Sequence, residues 1–131
     1  MPSRYKLPAV FLIVGLGLSL SSNVNSLWEG QKMAVRAAEA AQSGNWGESN
    51  HWIELAKERT PEDPEVYAES AQLDFQRGNL LQAAADLEKS ARLNPYRPAT
   101  WSQIQMVYQK MGLPEQAQRT LQQSLQYTVP K

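Results

Sequence analysis

The chain has no cysteine, a single histidine and no excess charge of either sign. Without a thiol there are no disulfides, thiolate metal sites or cysteine nucleophiles, although the redox compartment stays open. Thirteen basic residues balance 13 acidic ones, which leaves neither an electrostatic footprint for nucleic acid nor a polybasic tail for anionic lipid. Nucleic acid is therefore not an expected partner. His51 lies in a helix-like segment beside Trp52 with no serine, acid and base arranged around it, whereas general base catalysis needs an oriented partner and a pocket. The acidic run Glu62-Asp63-Pro64-Glu65 falls in a turn, where such residues cap and favour the start of the next helix, so it is read as capping and not as a metal site. Phosphate loops, zinc-ligand spacings and nucleophile elbows are absent. The reading is non-enzymatic, with no cofactor and no metal.

What is present is a period. Gly44, Gly78 and Gly112 stand 34 residues apart, each between two helix-like segments. Pro61 and Pro95 follow the first two glycines by 17 residues, and Pro130 follows the third by 18. A repeat of this length is one helix-turn-helix unit that cannot bury its apolar face alone, so stacked copies share a core. The glycine takes a turn that needs positive φ, and the proline stops the second helix because it cannot extend the hydrogen-bond ladder. Asn45 and Asn79 are expected to cap the second helices of their repeats. The third copy has Leu113-Pro114 there, with proline suited to a first turn.

Aligned on the glycines, the repeats are 30–63, 64–97 and 98–131. The middle copy, with Tyr67, Gly78, Ala83, Leu87 and Pro95, resembles a tetratricopeptide repeat. Trp101, Tyr108, Gly112, Ala117 and Leu121 match in the third copy, and Met33, Gly44, Trp46, Ile53, Ala56 and Pro61 match in the first. The resemblance implies an all-α fold, an α-α superhelix of three repeats over 30–131. Arg36 and Ser70 occupy a helix A position that the family usually fills with leucine, and Gln105 one that it usually keeps small. The aromatic set Trp46, Trp52, Tyr67 and Trp101 is expected in the core, at helix crossing points. In the last helix, Ala117, Leu121, Ser124 and Leu125 form the expected packing stripe, and glutamines cover the rest as a terminal polar face. Residual apolar area there would be covered by a partner or a second copy, which keeps a homo-oligomer open.

Residues 1–28 stand apart from the array. Arg4 and Lys6 precede Leu7–Trp28, a stretch of 22 residues without charge that would span roughly 33 Å as a helix, enough for a bilayer core. Its strongly apolar part, Leu7–Leu20, has the length of a signal-peptide core, and Val24 and Ser26 offer a cleavage site before Leu27. Tyr5 and Trp28 bracket the run as interfacial aromatics do, which favours a retained transmembrane anchor over a cleaved signal. Either way the N-terminus is cytoplasmic and the repeats face the periplasm, a lumen or the exterior.

In the tetratricopeptide family the concave groove is lined by helix A, and the resemblance carries that lining onto Gln31, Ala34, Ala38, Ala41 and Gln42 in the first repeat. The corresponding second-repeat residues are Glu65, Ala68, Gln72, Phe75 and Gln76. In the third repeat they are Ala99, Ser102, Met106, Gln109 and Lys110. The first repeat contributes an alanine floor. Binding is expected at Ala68, Gln72, Phe75, Gln76, Met106, Gln109 and Lys110, with Phe75 as apolar anchor for an extended or helical peptide. The lysine and asparagine set that grips a C-terminal carboxylate in chaperone-binding members is missing. The implied function is a membrane-tethered interaction module for envelope or lumenal proteins. The alternatives are a structural subunit of a membrane complex and a periplasmic or secreted protein freed by cleavage near Ser26.

Overall fold

The computed structural model describes residues 28–130, all of whose regular elements are helices. Helix α1 covers residues 28–42, and α2 (Trp46–Arg59), α3 (Pro64–Gln76), α4 (Leu80–Leu93), α5 (Pro98–Lys110) and α6 (Pro114–Thr128) follow. They pair as three antiparallel hairpins, in agreement with the expected all-α helical array. The expected anchor or signal segment lies outside the described residues. Among the described residues no helix is long and apolar enough to cross a membrane.

Each hairpin turns at its glycine. Gly44, Gly78 and Gly112 have φ of 76, 80 and 75°, a region costly for any residue with a Cβ. The same pair of hydrogen bonds recurs at all three. At the second, the Gly78 N–H donates to Phe75 O at 3.1 Å and the Asn79 N–H to Asp74 O at 2.8 Å, so that carbonyls left over at the end of α3 are satisfied. Helix starts are more varied. The Asn45 side chain accepts from the Glu48 N–H at 3.1 Å, and Asp63 accepts from the Glu65 N–H at 2.9 Å. Asn79 departs from expectation, because its amide donates to Asp74 at 3.4 Å and makes no capping bond to α4. The buried Asp74 carboxylate is also paired with Arg77 at 2.8 Å, and it orients the Asn79 side chain by that donated bond.

Between hairpins the joint is set by an aromatic. The Tyr67 hydroxyl donates to Pro61 O at 3.1 Å, and the Trp101 indole N–H donates to Pro95 O at 2.7 Å. The proline that ends one repeat is thus tied to the aromatic that begins the next. Trp101 is in the core, as expected, while Trp46, Trp52 and Tyr67 are only half-buried. Cations sit against those rings: Arg77 over Trp46, Arg36 over Trp52 at 4.7 Å, and Lys57 and Lys89 near Tyr67.

The core is two apolar clusters. One joins Ala37, Ile53, Ala56, Val66 and Leu73 across α1, α2 and α3. The other joins Ala71, Ala83, Leu87, Trp101, Ile104 and Val107 across α3, α4 and α5. Around α2, α3 and α4 a polar group intervenes. The buried Asp86 carboxylate accepts from Lys57 Nζ at 3.0 Å, Ser70 Oγ at 2.5 Å and Gln82 Nε2 at 3.2 Å. Ser70 takes a position where leucine was the family norm because Asp86 needs its hydroxyl.

One packing expectation fails. Ala117 and Ser124 of α6 are buried with Thr120, but Leu121 and Leu125 are 38% and 50% exposed. The equivalent residues of α4, Ala83, Asp86 and Ser90, are buried in the same way, so the difference is that α5 covers Leu87 whereas no described helix covers Leu121.

Burial would lower the Lys57 pKa, but the hydrogen bond and charge of Asp86 outweigh it and raise the ammonium above its usual value. A raised folded pKa stabilises the fold fully below the unfolded value of 10.5, and this contribution fades as pH climbs through the folded value. Asp86→Ala should lose about 3–5 kcal/mol in urea unfolding at neutral pH, the usual cost of stranding one partner of a buried pair. An undiminished unfolding midpoint would show that Lys57 finds water without Asp86.

Candidate functional site

Helices α1, α3 and α5 present one side of each hairpin as a common surface. Of the expected binding residues, Ala68, Gln72, Phe75 and Met106 line one cavity of about 200 Å³ between α3 and α5. Ala71, Leu87 and Val107 form its floor, and Gln103 stands on its wall. Phe75 is half-buried and Met106 is 51% exposed, so the mouth of the cavity is apolar. Lys110 does not line it, yet Nζ lies 4.6 Å from the Phe75 ring centroid, a cation–π arrangement that holds ring and ammonium together. Gln76 and Gln109 are exposed and lie outside the cavity lining.

Gln103 was not among the expected residues. The helix A positions carried over from the family omit it, although it lies one turn before Met106 on the same helix. Gln72 and Gln103 form no hydrogen bond to another described residue, so both amides are free to pair with a bound main chain. Leu87 belongs to the apolar core and is at the same time the floor of this cavity.

The first-repeat groove differs from the expected alanine floor. Ala34 and Ala38 do line a cavity of about 310 Å³, but Glu39, Glu65 and Glu69 wall it. Half-burial of Glu69 raises its pKa above the usual carboxylate value. Glu65 also pairs with Arg97. Glu65 and Glu69 are one turn apart on α3, whereas Glu39 comes from α1 and joins them only through the fold.

A larger cleft, about 550 Å³, opens between α4 and α6 and is lined by Glu88, Arg92, Pro95, Trp101 and Tyr127 among others. Glu88, Trp101 and Tyr127 are engaged within the repeat, while the side chains of Arg92, Gln123 and Gln126 make no hydrogen bond to another described residue. The Trp101 N–H is bonded to Pro95 O, the Tyr108 hydroxyl donates to Glu88, and Tyr127 stacks on Trp101 with ring centroids 5.9 Å apart. Size alone does not make it the better site, since a ligand there would displace bonds the repeat uses.

His51 is exposed and edge-on to Trp52 at 5.4 Å. In the acidic turn Asp63 serves as the cap of α3. Among the described residues no group of three or more His, Cys, Asp or Glu is placed to hold a metal ion.

No protein-family model matches the chain, and no curated protein matches it in sequence. Among solved structures, the N-terminal domain of stress-induced protein-1 (STI-1) from C. elegans is similar, with a TM-score of 0.70 at 14% identity, covering 80% of this chain and 88% of that one. The likeness supports a tetratricopeptide-like helical repeat fold.

The Tyr108–Glu88 pair is open to titration. Burial first, then the hydrogen bond and charge of Glu88, push the Tyr108 hydroxyl up to about 12 from 10.0. Its contribution to stability is complete below pH 10.0 and is lost as pH rises through about 12. In an ultraviolet tyrosinate titration one residue should ionise well above the rest, and Glu88→Gln should move it down while leaving the burial part of the shift. A titration unchanged by Glu88→Gln would refute the pairing.

Proposed function

We propose that this chain is a membrane-tethered protein-interaction module that holds a peptide segment of an extracytoplasmic partner in the groove of its second and third repeats. The observation that carries this reading is the cavity between α3 and α5, which brings Ala68, Gln72, Phe75 and Met106 together around one apolar opening. Such a cavity takes an apolar side chain, and free amides beside it suit the main chain of an extended or helical peptide. Phe75 is the anchor, with Lys110 holding its ring and Gln76 and Gln109 on the rim. The tether rests on the uncharged run Leu7–Trp28, and the orientation rests on Arg4 and Lys6.

Partners recovered from native membranes in mild detergent, then purified, supply the binding assay. Phe75→Ala should weaken capture by more than roughly tenfold, since truncating a buried aromatic anchor costs ~2 kcal/mol or more, whereas Gln76→Ala and Gln109→Ala should change it little. A folded Phe75→Ala variant that binds normally, with binding lost instead in Glu88 or Arg92 variants, would move the site to the cleft between α4 and α6.

Topology is tested separately. A reporter fused to the C-terminal end should be active only outside the cytoplasm, and cytoplasmic activity would contradict the orientation. An intact N-terminus on the mature protein supports the tether, while a mature chain beginning at Leu27 would replace it with a cleaved signal.

A further inference from the structure

The two cavities on the concave side occupy equivalent places at successive joints of the array. Ala34, Ala38 and Glu69, which line the one between α1 and α3, stand one 34-residue period before Ala68, Gln72 and Gln103, which line the one between α3 and α5. What differs is charge. Where the second joint has the amide of Gln103 and the methyl of Ala99, the first has the carboxylates of Glu69 and Glu65, and Glu39 adds a third from α1.

These carboxylates are not matched from within the array. Glu65 pairs with Arg97, but no described cation forms an ion pair with Glu39 or Glu69. Burial raises the Glu69 pKa, and no neighbouring positive charge or hydrogen-bond donor offsets it. The nearby cations of α1 are held elsewhere, Lys32 beside Glu29 and Trp28 and Arg36 over Trp52. The rest of the lining is largely apolar: Ala34 and Ala38 are joined by Val35, which is 57% exposed. A bare metal ion is a poor match, because among the described residues no three acids converge to hold one and methyl groups supply no ligand. A space of about 310 Å³ with methyl groups on one side and carboxylates on the other suits a long cationic side chain, whose methylene stem lies on apolar surface while its head stays among charges.

We propose that the cavity between α1 and α3 is a second subsite of the peptide groove, and that it takes a lysine or arginine from the same bound segment whose apolar side chain enters the cavity between α3 and α5. The inference rests on the groove reading given above and adds the chemistry of the segment to it. Glu39 and Glu69 receive the cationic head, and Val35 with the two alanines carries the stem. Equivalent points at successive joints lie about one helix spacing apart, roughly 10 Å. About three or four residues of extended chain span that distance, which sets the interval between the basic residue and the apolar one.

The full chain in mild detergent is used to select binders from a randomised peptide library displayed on phage. Selected peptides should share an apolar residue and, about three or four positions away, a lysine or arginine. Phe75→Ala should erase the apolar preference, whereas Glu39→Gln combined with Glu69→Gln should erase the basic preference and leave the apolar one. A selected peptide is then made with arginine or its neutral isostere citrulline at the basic position. Citrulline should weaken binding to the unmodified chain roughly fivefold and binding to the double variant hardly at all, and added salt should weaken only the arginine form. Circular dichroism checks that the double variant keeps its helices, and Glu39→Gln alone, at an exposed position, is the second variant if it does not. An apolar preference with no basic one overturns the subsite and leaves the groove standing. A citrulline effect that persists undiminished in the double variant also overturns it. An apolar preference that is missing, or that Phe75→Ala leaves intact, removes the groove reading and the subsite with it.

Discussion

A carboxylate taken out of water must be paired, and in this array that requirement falls on Asp86. The ammonium that meets it comes from Lys57, in the preceding repeat, and the remaining acceptor capacity is filled by Ser70 and Gln82. Apolar clusters on either side tolerate small adjustments of packing, but a hydrogen-bonded ion pair has a narrow geometry. A slip of α2 along α3 would leave both charges unpaired in a poorly solvated seam. The pair therefore fixes the register in which the first repeat stacks on the second, whatever its net contribution to stability. It also accounts for a departure from the repeat pattern, since the hydroxyl of Ser70 is required where a leucine would only fill space.

The joints on either side of α3 show how shape is transmitted to the groove. Tyr67 and Trp101 each bond back to a proline carbonyl six residues earlier, and both sit at the start of a helix that lines the concave surface. The angle at which α3 and α5 leave their turns is thus held by one hydrogen bond apiece. That angle determines the spacing between Phe75 and Met106, which come from different repeats and share one cavity.

Much of this was legible in the sequence because much of it is local. The glycine period marks the turns, Asn45 and Asp63 mark helix starts, and prolines mark helix ends, each through a backbone requirement met within a few residues. Ala68, Gln72 and Phe75 share a face of α3, and Met106 takes on α5 the repeat position that Gln72 takes on α3, so the family positions bring all four to one cavity lining. What escaped notice depends on distance or direction. Lys57 and Asp86 are 29 residues apart, and nothing in either neighbourhood demands the other. Glu39, Glu65 and Glu69 converge only when α1 and α3 are side by side. Leu121 and Leu125 follow the packing period, and α6 buries Ala117, Thr120 and Ser124 just as α4 buries Ala83, Asp86 and Ser90, yet no described helix covers the leucines as α5 covers Leu87. Asn79 has the right residue type for a cap, yet its side chain is turned to Asp74 and makes no capping bond.

The turns at Gly44, Gly78 and Gly112 carry one more consequence. A Cβ built at any of the three would meet no heavy atom within 4 Å, so crowding is not what keeps a side chain out. The constraint is chirality. An L-residue is forced into the region that its own Cβ disfavours, while a residue of the opposite hand finds the same positive φ in its preferred region. Each hairpin is therefore specified by the sign of one dihedral angle, and among the genetically encoded residues the achiral one meets that condition at the least cost.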